Sequence, residues 1–202
     1  MHGLGVGPDY LRPLARELAP QHDVRLPQLP REPMPMERLA ESLVPLLPGA
    51  VVAHSMGCQV AVELAIRRPE IVQSLVLLGP TLDPYLRPWR KLLPGFAVDF
   101  LREPPSLRWL IVRDYARMGP VRFAKTARYA REHHVEERLP LVRASTLVVR
   151  GERDAFVSQR WCEEAAALLP HGRPALVPGA HAAHYSHPSA VAKEVEQHLR
   201  ER

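Results

Sequence analysis

Apolar and polar positions run along the 202-residue chain in two rhythms. Short continuous apolar runs stand at 50–54 (AVVAH), 72–79 (VQSLVLLG), 145–152 (STLVVRGE) and 173–179 (RPALVPG). Runs of this length predict strands buried on both faces. Between them, apolar positions recur every three or four residues, the helical rhythm. In residues 10–19, Leu11, Leu14, Ala15 and Leu18 share one helical face, and Pro13 fits in a first turn. Residues 36–47, 57–67, 158–169 and 190–201 read as further amphipathic helices. Pro48-Gly49 ends the first of these and Pro69 the second. One more short strand is predicted at 22–29, HDVRLPQL.

Strands that alternate with helices predict a mostly parallel, doubly wound α/β sheet covered on both faces. The alternation breaks after the third strand. From Thr81 to Pro140 no run has the look of a buried strand, and LRWLIVRDYARM and VRFAKTARYAREHH read as helices with Arg-rich outer faces. The expected organisation is a core of residues 1–80 and 144–202, interrupted by a helical lid at 81–143. The 22 prolines, about twice the usual share of roughly 5%, make these segments easy to separate.

Composition narrows the class. Hydrophobic content of 46% and charged content of 24% are ordinary for a soluble globular protein. No apolar stretch approaches the roughly 18 residues of a membrane span. The start, MHGLGVGPDYLRP, lacks the basic and apolar regions of a secretory signal. Two cysteines, Cys58 and Cys162, make no disulfide framework and read as reduced thiols of a cytoplasmic protein. The net charge of +5 sits entirely between Leu101 and Arg143, with ten basic and five acidic residues. Attraction of an acidic partner and solvated helix faces both account for it. No basic tail or zinc spacing points to nucleic acid.

The candidate chemistry begins at Ser55. It stands where the 50–54 strand gives way to a helix, flanked by the small residues Ala53 and Gly57. This is the G-x-S-x-G elbow with Ala in the first place. A neutral Ser needs a base, and the base an orienting acid. In α/β sheets reactive groups gather beyond the carboxyl ends of strands. Asp154 follows the 145–152 strand and His181 the 173–179 strand. Three strand ends therefore carry the three side-chain types in the order Ser, acid, His. Asp83, after the third strand, is an alternative acid. His184 and His187 follow His181 at a spacing that can suggest a metal, but in a loop; His184 is expected to line the pocket and His187 the surface. His54 is expected to pack, and Cys58 to fill the core behind the elbow. No metal or cofactor is called for.

HGLG at 2–5, AHSMG at 53–57, GERDAFV at 151–157 and PGAHAAHYSHP at 178–188 together resemble the α/β-hydrolase superfamily, over nearly the whole chain outside the lid. The resemblance implies Ser55 as nucleophile, Asp154 as acid and His181 as base, with the N–H groups of Leu4 and Met56 forming the oxyanion hole. It implies a serine hydrolase of small or medium carboxylic esters or related acyl compounds. A carbon–carbon bond hydrolase and a non-catalytic binding protein of the same fold are the alternatives. Trp89, Trp109, Tyr115, Phe123 and Tyr129 of the lid are expected to set substrate choice. The chain departs from the family at QLPREPMPM, which lacks the usual glycines. It departs again at Met1, which directly precedes the His2-Gly3 pair where the family has a central strand. The expectation is that the chain is N-terminally incomplete and that the strand leading to Ser55 lacks a neighbour.

Overall fold

The computed structural model describes residues 1–46 and 48–201. The side chains of residues 46, 89 and 91 lie outside that description. Among the described residues, four strands form one wholly parallel sheet in sequence order: β1 (Gly49–His54), β2 (Val72–Leu78), β3 (Thr146–Gly151) and β4 (Gly172–Val177). The expected α/β fold is therefore present. The register aligns Val51 with Leu75, Leu77 with Val148 and Val149 with Ala175. All four carboxyl ends thus lie along one edge of the sheet.

Alternation along the strands feeds two cores. Leu75, Leu77 and Val148 face α2 (Met36–Glu41), α3 (Met56–Arg67) and α8 (Gln159–Leu168). Val76, Leu78, Leu147 and Val149 face α1 (Arg12–Leu18) and α10 (Pro188–Arg200). The central strands β2 and β3, covered on both faces, bury nearly every side chain and read as continuous apolar runs, while the edge strands β1 and β4 leave more of theirs accessible. Ser158 caps α8, its side chain accepting the Trp161 N–H.

Between β2 and β3 lie α4 (Trp89–Arg102), α5 (Pro105–Met118), α6 (Pro120–Glu132) and α7 (Val135–Arg138), and no strand among the described residues. α5 and α6 match the expected pair; α4 carries an internal Pro94 and was not separated by the sequence pattern. This segment is pinned to α3 by a buried clasp. Glu63 accepts from Arg138 Nε at 2.7 Å and pairs with His133 Nε2 at 3.0 Å. Gln59 Nε2 donates to the Ala130 carbonyl at 2.8 Å. Burial opposes the Glu63 charge, but these hydrogen bonds outweigh it and hold the carboxyl down at about 2.

Two expectations need correction. Residues 22–29 form no strand. A groove of about 660 Å³ separates 22–27 from Gly49–Val52 of β1, so the segment has no ladder partner. Residues 36–47 do not make one helix. α2 stops at Glu41, and a 3₁₀ turn over Val44–Leu46 follows, because Pro45 cannot donate to a continuing helix. Leu47 lies outside the described residues. Strand β1 is an edge of the sheet; on its open side the α-amino group of Met1 donates to the Val52 carbonyl, and the Met1 carbonyl accepts from His54 N at 3.0 Å.

Candidate active site

Ser55 sits at the turn between β1 and α3 with φ +58° and ψ −127°, the one described non-glycine residue at positive φ. That conformation is disfavoured for a residue with a Cβ and persists only where the surroundings fix it. Here Ser55 N donates to the Leu78 carbonyl at 3.0 Å, and its carbonyl accepts from Cys58 N at 2.9 Å. Gly57 is required behind it: a Cβ there would stand 2.7 Å from the His2 carbonyl oxygen. Met56 is the first residue of α3, so its N–H has no acceptor within the helix. Leu4 lies across the same cavity, in the turn after Gly3.

Asp154 and His181 meet. His181 Nδ1 lies 2.8 Å from Asp154 Oδ2. The carboxylate can only accept, so in the neutral ring Nδ1 carries the proton and Nε2 presents its lone pair. Asp154 Oδ1 accepts from the N–H groups of Phe156 and Val157 at 2.8 and 2.9 Å. Arg150 braces the same loop, donating to the Asp154 and Val157 carbonyls at 2.8 and 2.7 Å. Gly79 leaves room for the pair, since a Cβ there would come within 2.9 Å of the His181 ring. Burial opposes the charged ring. The charge of Asp154, the hydrogen bond to it, and the charges of Asp99 and Glu103 outweigh burial and hold His181 up at about 9. Its Nε2 is buried and has no hydrogen-bond partner among the described residues. Ser55 and His181 line one cavity of about 420 Å³. Asp83, the alternative acid, is used elsewhere, accepting from Tyr85 N at 2.8 Å and Ser158 N at 2.9 Å.

A second network behind the site was not visible in the sequence. Gly3 N donates to the Tyr10 hydroxyl at 2.6 Å, and that hydroxyl lies 2.6 Å from His54 Nδ1. His54 Nε2 lies 3.0 Å from the His181 carbonyl. A carbonyl only accepts, so Nε2 carries the proton and Nδ1 accepts from Tyr10. The chain of bonds ties the Gly3 turn, the end of β1 and the His181 loop together. His54 is thus more than a packing residue. Burial, then the neighbouring His184 and His181, push His54 well below its ordinary value. The sequence signal was His54 itself, adjacent to Ser55.

The three histidines of the 181–187 loop diverge. His184 does not line the cavity: it is fully buried, with ring centroids 4.3 Å from His54 and 4.7 Å from Tyr10. Burial and the neighbouring His181 lower it to about 3. His187 is half-buried beside Ser186. Cys58 is buried behind the elbow, where burial pushes its thiol up.

The cavity walls are mostly apolar. Tyr115 and Phe123 line it as expected, joined by Phe96, Phe100 and Phe156, which the sequence reading passed over. Trp109 does not: it is 63% exposed, with Arg113 stacked 5.3 Å from its ring centroid. Tyr129 packs against the α3 core instead. The Trp89 side chain lies outside the described residues. Asp99, Glu103 and Arg131 are the charged residues of the helical segment at the cavity wall.

Comparisons with known proteins agree with this architecture. Residues 1–194 match the model of the alpha/beta hydrolase family. The chain is 28% identical over 242 aligned positions to the pimeloyl-[acyl-carrier protein] methyl ester esterase of Aromatoleum aromaticum, covering 99% of this chain and 96% of that protein. Its fold is similar to that of a thermophilic esterase from Thermogutta terrifontis, with a TM-score of 0.81 at 19% identity, covering 99% of this chain and 88% of that one. It is also similar to the enol-lactonase from Burkholderia xenovorans LB400, with a TM-score of 0.79 at 16% identity, covering 99% and 89%. Among the described residues no helix is long and apolar enough to cross a membrane. A parallel sheet whose strand ends gather Ser55, Asp154 and His181, matched along almost its whole length, belongs to the alpha/beta hydrolase family, and the protein is a hydrolase.

Proposed function

We propose that this protein hydrolyses carboxylic esters through an acyl-enzyme on Ser55. The observation that carries the reading is the His181–Asp154 pair at 2.8 Å, with His181 lining one cavity together with a Ser held at positive φ. Ser55 Oγ attacks the ester carbonyl as its proton passes to His181 Nε2. The carbonyl π electrons move onto oxygen, and the N–H groups of Leu4 and Met56 hold that oxyanion, at roughly 3 kcal/mol per donor. Collapse expels the alcohol, which takes the proton from His181. Water then attacks the acyl-enzyme with His181 again as base, releasing the acid and restoring Ser55. Asp154 holds the imidazole tautomer and balances the imidazolium.

The cavity is mostly apolar and of a volume in the range of roughly 300–1,000 Å³ typical of small-molecule sites. It suits an uncharged acyl chain of medium length on a small alcohol. Similarity to an esterase that acts on an acyl methyl ester supports the same substrate class. Segment 81–143 would serve as a lid, with Phe96, Phe100, Tyr115 and Phe123 touching the acyl chain. The two free, buried thiols fit a cytoplasmic protein.

The test is hydrolysis of nitrophenyl esters from acetate to decanoate by wild-type and Ser55→Ala protein. Turnover with a preference for a middle chain length, lost in Ser55→Ala, is expected. Absence of turnover across the series would leave the fold as a binding protein, and turnover surviving in Ser55→Ala would refute the nucleophile.

A further inference from the structure

Two buried carboxylates, Asp99 in the last turn of α4 and Glu103 directly after its end, touch the loops that carry Asp154 and His181 without belonging to the triad. Asp99 and Glu103 lie one helical turn apart and are 6% and 4% exposed. Asp99 Oδ1 accepts from His181 N at 3.1 Å and from Ala155 N at 3.4 Å. Glu103 Oε1 accepts from Ala182 N at 2.8 Å, while its Oε2 is buried with no hydrogen-bond partner among the described residues. Arg102, between them in sequence, donates to the Arg153 carbonyl at 2.6 Å. The end of α4 and the residue that follows it therefore grip the acid loop at 153 and 155 and the base loop at 181 and 182.

Neutral amides would make the same bonds without the cost of burying charge. The choice of carboxylates therefore needs a cation to justify it. The titratable groups facing this corner are Asp154 from the loop after β3, His54 from the end of β1, and His184 from α9 (Ala183–Ser186). Arg131 of α6 lines the same cavity. His54 and His184 are kept neutral by burial and by their neighbours. The cation that the chemistry itself creates here is the His181 imidazolium, formed as Ser55 gives up its proton.

We propose that Asp99 and Glu103 are positioning residues of the hydrolytic site: they fix the backbone of the Asp154 and His181 loops, and their negative charge stabilises the imidazolium formed during acyl transfer. The inference rests on the Ser55–His181–Asp154 reading. It makes the helical segment part of the catalytic apparatus as well as a wall of the pocket. Burial pushes both carboxyls upward, Glu103 to about 7, so the support is strongest on the alkaline side of neutrality.

Asp99→Asn with Glu103→Gln keeps every acceptor oxygen that now bonds to backbone and removes only the charge. In this double variant the acid limb of kcat/KM for a nitrophenyl ester should move down by on the order of one pH unit, with KM within about twofold of wild type. Asp99→Ala with Glu103→Ala removes the grip as well, and kcat should fall roughly tenfold to a hundredfold. An acid limb that stays in place in the amide variant overturns the proposal, and so does wild-type kcat in a folded alanine variant. If the alanine variant does not fold, the amide variant decides alone. Ser55→Ala in the same assay separates the two levels. Activity that survives it overturns the triad and this proposal together; activity lost in it with an unmoved acid limb overturns only the role of Asp99 and Glu103.

Discussion

Leu77 of β2 and Val121 of α6 are both branched aliphatic residues, yet one is fully buried and the other 67% exposed. The contrast holds across the regions they belong to. Side chains of the central strands point into one of two cores, and the ends of β1, β3 and β4 carry Ser55, Asp154 and His181 along one sheet edge. The segment between β2 and β3 is anchored at separate points, among them the Glu63 clasp, Leu107, Val135, Leu139 and the contacts of Asp99 with the loops that carry Asp154 and His181. Among the described residues, nine of the eleven exposed large apolar side chains lie in it. The sheet supplies rigidity for chemistry. Under the proposed function the helical segment would supply an apolar surface and a few charges beside that chemistry, which is the division expected where a scaffold stays fixed and specificity varies.

The largest effect should come from breaking the sheet-edge constellation. Ser55→Ala should lose on the order of 10⁴-fold or more in kcat, and Asp154→Asn up to about 10⁴-fold through the wrong His181 tautomer, read by ester hydrolysis. His184→Ala should cost far less activity, since its ring lies behind His54 and outside the cavity.

Stability should divide the same way. Leu77→Ala empties a fully buried site, at a cost of about 2–5 kcal/mol by urea unfolding. Val121→Ala should stay within about 0.5 kcal/mol. Equal losses at the two positions would erase the distinction between core and helical segment.

The pH profile sharpens the electrostatic side. His181 must be neutral to accept the Ser55 proton, and its ordinary value is raised to about 9. A raised base is protonated, and idle, until pH approaches that value. kcat/KM should therefore climb through neutrality toward pH about 9, by tenfold or more between pH 7 and 9. A plateau already reached at pH 7 would contradict the charge arrangement around His181.

The smallest effect belongs to the pocket wall. Phe96→Ala or Phe123→Ala should change the preferred acyl length and raise KM for long esters several-fold, about 1 kcal/mol, with little change in kcat for acetate.

How legible each region was follows from the same contrast. Central strands buried on both faces write themselves as apolar runs, and the edge strands keep shorter runs bounded by Pro and Gly, so β1 to β4 were readable, and the residues just beyond their ends followed. Pairing of His181 with Asp154 rather than Asp83 needed the structure, because both acids follow strands and only geometry shows Asp83 bonded to Tyr85 and Ser158. α4 was not separated because Pro94 and Gly95 interrupt its pattern and most of its apolar side chains are exposed. With it went Phe96, Phe100, Asp99 and Glu103. The Tyr10–His54 network escaped because its partners are 44 residues apart and carry no spacing signature. The 22–29 strand failed because local apolar character cannot make a ladder without a neighbour.

In the proposed chemistry everything depends on Ser55 being the nucleophile that His181 and Asp154 activate. Labelling with a fluorophosphonate, followed by peptide mapping, tests this most directly, because the reagent traps an activated serine. The prediction is one adduct, on the peptide carrying Ser55, absent from Ser55→Ala and sharply slowed in His181→Ala. An unmodified Ser55 in folded protein, or an adduct on another serine, would contradict it.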